Sequence, residues 1–436
     1  MSTPFRIEHE LLNSEMLNGA DDAVRAAVSI WLSGVCVTEA EDRAGEIYQT
    51  RRSVRVSMTR MARWFAGNWW RLRWEPEERR ASPDWQMSHN LAAAGGGYLW
   101  PNLTFSCDGE TVLAVTKAGD PNSAEPIRYL LDYAGIIPAV DFERVVDEFI
   151  ATTIDCLPAE ARKNTELVDL WAEVARERAE PELYALRKLE AGLGYDPGEA
   201  PDTLIATLLK QRSKYGAGAI QEIAAASKDN AIDHLESMAN EVRGRGVSAR
   251  LPACDTIREQ HRDQIKPLDA PWRRGEQAAR IARGIWGLPS GPIQTSTLAD
   301  LFGVSLDERP QSELPLSVGL RDDGSDVMSI SLHQHYLTGR RFTLARLIGD
   351  QVAAPPEERL LPATAARTSR QKFQRAFARE MLCPISDLLD FLGPAPPNDD
   401  DIDDAAAHFQ VSDRVVAFAL VNNGVIQRES MGEWAV

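Results

Sequence analysis

Two periodicities divide the chain. Up to about residue 139, apolar and polar positions alternate in short runs; beyond it, apolar residues recur at helical spacing. Val28-Ser-Ile-Trp-Leu-Ser33 and Ser53-Val-Arg-Val-Ser57 carry the two-residue period of half-buried strands. Tyr98–Ser106 and Thr111–Thr116, separated by Cys107-Asp-Gly-Glu110, predict a β-hairpin whose turn holds the glycine. Between these strands Met58, Met61, Trp64, Phe65 and Trp69 mark one face of a helix running from Met58 to Trp74.

From Asp141 the pattern is helical. Val145, Val146, Phe149 and Ile150 share a face of the stretch Phe142–Cys156, with Asp141 as its expected N-cap. Further helices are predicted over Glu166–Glu177, Pro181–Ala191, Asp202–Arg212, Gly218–Ala225 and Ile232–Arg243, punctuated by Gly192, Gly194, Pro197 and Pro201. A basic, Pro-flanked connector follows, and the chain closes on two short helices, Asp404–Phe409 and Ser412–Asn422, with Ser412 as N-cap. The reading is a multidomain α+β protein. Its expected parts are a Trp/Arg-rich α+β domain over 1–139, a helical bundle over 140–247, a connector over 248–274 and a final α+β domain over 275–436 with a helix-turn-helix-like end.

Composition narrows the class. The 436 residues are 44% hydrophobic, and no run of ~18 apolar residues occurs, so no membrane helix is expected. Charges of both signs over Met1–Glu10 argue against a secretory signal, and five scattered cysteines fit a reducing, cytoplasmic setting. The wealth of Ala, Arg, Asp and Glu points to a prokaryotic source. A net charge of −17 disfavours nonspecific binding to nucleic acid, because phosphates are repelled unless a local basic patch overrides the field.

One such patch is present: Arg51, Arg52, Arg55, Arg60, Arg63, Arg71, Arg73, Arg79 and Arg80 alternate with Trp64, Trp69, Trp70 and Trp74. Mixed guanidinium and indole groups can hold phosphates and stack bases, so Arg60, Arg63, Trp69, Trp70, Arg71 and Arg73 form a candidate nucleic-acid or partner surface. The alternative is an amphipathic helix with its aromatic face in the core, and Glu75, Glu77 and Glu78 offset the positive charge. Gly95-Gly-Gly97 lacks the lysine and strand-to-helix context of a phosphate loop and reads as a turn. His89 has no acidic partner visible in the sequence. In the middle stretch Glu177, Glu180, Glu182, Glu190, Glu199 and Asp202 favour a protein partner over DNA, and Arg414 is the one basic residue of the last helix. The run Pro394–Asp404 combines a proline spacer with aspartates suited to a helix N-terminus; it lacks the spacing and glycine of a calcium loop.

The chemistry-bearing stretch is Arg340-Arg-Phe-Thr-Leu-Ala-Arg346-Leu347-Ile-Gly-Asp350. It resembles the Arg-Phe-Thr-Leu-Ala-His-Glu-Leu-Gly-His segment of the ImmA/IrrE-type zinc peptidases, with Arg346, Leu347 and Asp350 where that family has its two zinc histidines and its general base. Other anchors follow in order. Gly275-Glu-Gln-Ala-Ala-Arg-Ile-Ala-Arg283 and Leu288–Pro292 resemble the family's opening helix and loop, and Asp326–Leu332 the strand before the active-site helix. Ala376-Phe-Ala-Arg-Glu-Met-Leu-Cys-Pro384 resembles the run that follows the third zinc ligand, and Gln371 stands at that ligand's place. Ala405–Ser412 through Ile426 is similar to the closing helices.

The resemblance implies a zincin-like fold over roughly the last third of the chain and a regulatory setting, since such peptidases act on partner transcriptional regulators in stress, phage and mobile-element contexts. The four substituted positions imply that no zinc is held and no peptide is cut: a guanidinium cannot coordinate the ion, and leucine cannot take a proton from water. An Arg346–Asp350 ion pair at i and i+4, with Gln371 against it, is the expected replacement. Two alternatives remain: a zinc peptidase using His333, His335 and Asp350, the histidines pointing the same way on a strand, and a nucleic-acid sensor using the Arg/Trp-rich helix. The leading expectation is a pseudo-peptidase, free of cofactors, that binds a protein such as a transcriptional regulator or defence component.

Overall fold

The computed structural model describes residues 4–12, 20–45, 47–78, 80–227, 230–266, 270–306, 316–321 and 326–427. It is a mixed α/β structure, 54% helical and 17% strand, with 18 helices among the described residues and several small sheets. The chain divides into two compact units, Met1–Ile205 and Ala206–Val436. The helical stretch expected as one domain over 140–247 is thus shared between them. The expected connector is no hinge either: Ala249, Leu251, Cys254 and Ile257 lie in the core of the second unit.

The first unit is organised on the strand Arg25–Leu32. It pairs antiparallel with Phe5–Leu11 along one side, from Phe5↔Leu32 to Leu11↔Ala26, and with Val35–Cys36 and Val54–Ser57 along the other. The predicted hairpin forms as Asn102–Cys107 and Thr111–Lys117, and Tyr133–Pro138 adds a third antiparallel strand. Its turn is closed by Asp108, whose Oδ1 accepts from the Glu110 and Thr111 amides at 2.8 and 2.7 Å, while Gly109 takes φ +102°. Tyr98–Pro101 lies outside the strand.

The helix expected over Met58–Trp74 is two helices, Met58–Gly67 and Trp69–Trp74. Asn68 makes the break: its amide and its Nδ2 both donate to Trp64 O. Upstream, Ser57 Oγ accepts from Arg60 N and fixes the start. Phe5, Phe65, Phe105 and Phe142 join sheet, helix and hairpin to the helix Ala139–Asp155, with Phe5 stacked on Phe142 at 5.7 Å. That helix is capped by Pro138, and Asp141 lies in its first turn, where its charge favours the helix dipole. Glu166–Ala179 and Pro181–Leu193 complete the unit close to their predicted bounds.

The second unit centres on a four-stranded antiparallel sheet in the order Val247–Arg250, Val327–Ser331, Ser317–Arg321, Leu360–Ala363. The helix Leu337–Ala353, here the central helix, is buried from Thr343 to Val352 and packs on Ser369–Leu382, which packs in turn on Pro271–Ile285. Close approach depends on two glycines: a Cβ on Gly349 would lie 2.6 Å from the Phe377 ring, and one on Gly275 would lie 2.5 Å from Phe373 O. Arg321 and Arg258 donate to the Gln351, Val352 and Ala354 carbonyls and close the central helix's negative end. Ala217–Ser227 and Ala231–Arg245 belong to this unit. The final pair is Asp399–Phe409, begun by an Asn398/Asp401 capping box, and Asp413–Asn422, with Ser412 at its N-cap. Among the described residues no helix is long and apolar enough to cross a membrane.

Candidate functional site

Arg346, Leu347, Asp350 and Gln371 belong to two helices of the second unit. Arg346, Leu347 and Asp350 lie on the central helix, where a 3.6-residue turn brings positions 346 and 350 to one side. Gln371 is in the first turn of Ser369–Leu382, whose N-cap Thr368 accepts from the Gln371 amide.

The structure joins Arg346 to Gln371. Arg346 Nη2 donates to Gln371 Oε1 and, at 2.7 Å, to Thr364 O, while the same Oε1 accepts from Thr364 N at 2.9 Å and Gln371 Nε2 donates to Pro362 O. A neutral amide therefore links the central helix to the end of the strand Leu360–Ala363. Gln371 is fully buried, so each of these bonds is made away from competing water.

Asp350 is held differently from the expectation. Its partner is Arg370, whose Nε reaches Oδ1 at 2.8 Å and whose Nη2 reaches Oδ2 at 2.9 Å, in the forked geometry a guanidinium offers a carboxylate. The expected Arg346–Asp350 pair is replaced because the helix order Arg-then-Asp gives weak geometry, whereas Arg370 approaches from a facing helix with both donors aligned. Arg370 also donates to Glu358 at 3.1 Å, and Glu358 accepts from the Gly218 and Ala219 amides at 2.7 Å each, so it closes the start of Ala217–Ser227. Burial opposes the Arg370 charge, but Asp350, Glu222 and Glu358 more than offset it and hold its pKa above the usual arginine value. Leu347 is fully buried in the apolar core.

Three residues that the sequence did not single out complete the network. Thr368 Oγ1 donates to Glu222 at 2.8 Å, and burial raises the pKa of this carboxyl although Arg370, Thr368 and Gln371 favour its charge. Arg375 donates to Ala366 O at 2.5 Å and to Thr364 O at 3.4 Å. Burial lowers Arg346 to about 9, with Arg375 pushing the same way; Arg375 itself falls to about 10, again chiefly through burial. Both remain charged at neutral pH. Arg370 could have been suspected from its place beside Gln371. Glu222, 146 residues before Thr368, leaves no local signal.

His333 and His335 are not strand neighbours. The strand ends at Ser331, and the two residues lie in the loop before the central helix, pinned by the His333 amide to Ser317 Oγ and by Arg340 to His335 O. The rings stand 6.0 Å apart at 56°. Asp350, the third member of that alternative set, already spends both oxygens on Arg370. Among the described residues no three His, Cys, Asp or Glu side chains converge as a metal-binding group.

The Arg/Trp helix pair of the first unit is core and ion pairs. Trp69, Trp70, Arg71 and Arg73 are buried, which removes them from the candidate surface. Trp70 Nε1 donates to Glu177 at 2.7 Å; Arg71 is shared by Glu75 and Asp84; Arg73 reaches Glu143 and Gly109 O. Arg60 forms a two-pronged pair with Asp22, and Arg63 meets Asp21 at 3.0 Å. The aromatic positions could not be both core and base-stacking, and burial of large apolar area decides for the core. Arg79 lies outside the described residues. Gly95–Gly97, all at positive φ, form the expected turn, and Gly96 leaves room for Arg60, whose Cδ would stand 2.4 Å from a Cβ there. His89 does have an acidic partner, Glu75, at 3.0 Å; its other ring nitrogen meets Phe105 O and its face stacks on Trp85.

No family model, curated protein or solved structure matches the chain.

Proposed function

We propose that the chain is a catalytically degenerate ImmA/IrrE-like protein that acts by binding a protein partner. The setting we assign is prokaryotic, cytoplasmic regulation in a stress, phage or defence context, with a transcriptional regulator or defence component as partner. The observation that carries the reading is the forked Arg370–Asp350 contact beside buried Leu347: the carboxylate at the second histidine's position is consumed by a guanidinium, and an alkyl group fills the place of the base. A hydrolytic zinc site needs three protein ligands and an open position for water. Here Arg346 is bonded to Gln371 and Asp350 to Arg370, contacts that hold two helices and a strand in register.

Elemental analysis of the purified protein tests this. The expected result is no stoichiometric zinc in the wild type, and gain of zinc when Arg346→His, Leu347→Glu, Asp350→His and Gln371→Glu are combined. Stoichiometric zinc in the wild type, lost in Asp350→Ala, would overturn the reading and return the site to hydrolysis.

A further inference from the structure

Arg346 and Arg375 are placed unlike the other arginines of the site. Arg370 spends its donors on two carboxylates, whereas among the described residues these two donate only to neutral oxygens: Thr364 O and Gln371 Oε1 for Arg346, Thr364 O and Ala366 O for Arg375. Both thus converge on the carbonyl of Thr364. A guanidinium carries five donors, so most of theirs remain to be used. Arg346 is nine-tenths buried, and its Nε, shut from solvent, has no partner among the described residues. Leaving a buried charged donor unsatisfied is costly, so this group calls for a partner.

Thr364 and Thr368 are buried, but Ala365 and Arg367 between them are exposed and Arg375 is half-buried, so positive charge runs from the surface inward to Arg346. Arg367 acts on Arg375 electrostatically, and Arg375 on Arg346. The cluster holds three guanidiniums, of which Arg370 alone contacts the carboxylates of Asp350 and Glu358, and burial raises the pKa of the remaining carboxyl, Glu222.

We propose that Arg346 and Arg375 form a receptor for a carboxylate, supplied by an acidic side chain or the C-terminus of a bound peptide that enters over residues 364–368. Two guanidinium edges turned toward one carbonyl offer the planar, paired donors that a carboxylate accepts. The net charge of −17 makes this a local receptor rather than a polyanion surface, because the field of the whole molecule repels long anions and only the buried cluster attracts one. The receptor rests on the geometry alone; its assignment to a peptide rests on the protein-binding reading above.

Titration calorimetry on the full chain at ~0.15 M salt, with the single-carboxylate peptide acetyl-Ala-Ala-Glu-Ala-Ala-amide and with glutarate as the free acid, tests the proposal. The peptide is expected to bind and glutarate to bind more weakly. Arg375→Met should weaken the peptide about tenfold, the loss of one charge-assisted hydrogen bond, and Glu222→Gln should tighten it about threefold by keeping this position uncharged in every molecule while still accepting from Thr368. Should Arg375→Met fail to fold, the gain in Glu222→Gln decides. Absence of binding by both probes, or unchanged affinity in Glu222→Gln, overturns the receptor; equal binding of the two probes overturns the peptide assignment. Zinc in the wild type would refute the pseudo-peptidase reading while leaving this titration intact.

Discussion

Replacing Asp350 with alanine isolates the contact on which the candidate site depends. The substitution removes the forked bonds at 2.8 and 2.9 Å and leaves Arg370 with Glu358 at 3.1 Å and Leu360 O at 3.5 Å. Breaking a buried pair by deleting one partner costs about 3–5 kcal/mol, because the other charge stays buried. Glu358 remains, so the expected cost lies at the lower end, about 3 kcal/mol. Removing both partners in Asp350→Ala/Arg370→Met deletes the stranded charge as well, and the double variant should be more stable than the sum of the single changes by about 2 kcal/mol. A global melt is the wrong assay for a chain of two units, because two-state bookkeeping does not hold for it. Native-state hydrogen exchange resolved to the peptide 337–353 reads the opening free energy of the central helix itself. A loss below about 1 kcal/mol in Asp350→Ala, or strict additivity in the double variant, would show that Arg370 finds water or another carboxylate and that the pair is not what holds the helices in register.

Other consequences are open to direct measurement. Gly349→Ala should cost about 1–3 kcal/mol by forcing the central helix away from Phe377, and Gly275→Ala a similar amount against Phe373 O; unchanged denaturation midpoints would show that the helices relax freely. Trp70→Phe deletes the indole donor to buried Glu177 and should destabilise the first unit by about 2 kcal/mol, seen in exchange at Glu166–Ala179 with the second unit unaffected. His261, buried and bonded to Arg274 O, has its pKa lowered below 6.5, chiefly by burial. The unfolded chain therefore takes up the proton first, so this contribution to stability is complete above pH 6.5 and declines as pH falls; His261→Gln should flatten that decline in acid titrations of the second unit, and an identical profile would dismiss it. Glu222 runs the other way: its raised pKa means stability is lost as pH rises above 4.5, so Glu222→Gln should flatten that loss in the second unit.

Local patterns carried most of the secondary structure. Alternation at Val28–Ser33, the glycine turn after Cys107, and helical spacing from Asp141 to Arg243 each specify a backbone state from neighbours within a few residues, and the observed elements match with ends shifted by a few positions. The alternating Phe5–Leu11 was missed because its outward half is uniformly polar, a weak signal, and only pairing with Arg25–Leu32 makes it a strand. The break at Asn68 was likewise invisible, since the residues on either side keep one apolar face.

Residue type alone sets a limit at two of these positions: the guanidinium of Arg346 cannot coordinate a metal ion and the alkyl side chain of Leu347 cannot take a proton, whatever surrounds them. How the polar side chains are bonded was decided only in three dimensions. Whether Asp350 turns to Arg346 four residues away or to Arg370 depends on donor alignment across two helices, and whether tryptophans at positions 64–74 face a core or a ligand depends on what packs above them. Glu222, Glu358, Thr364 and Arg375 come to the site from separate elements. Pairing of buried charges is settled by long-range packing, because the low-dielectric interior rewards the best-oriented partner in space rather than the nearest in sequence.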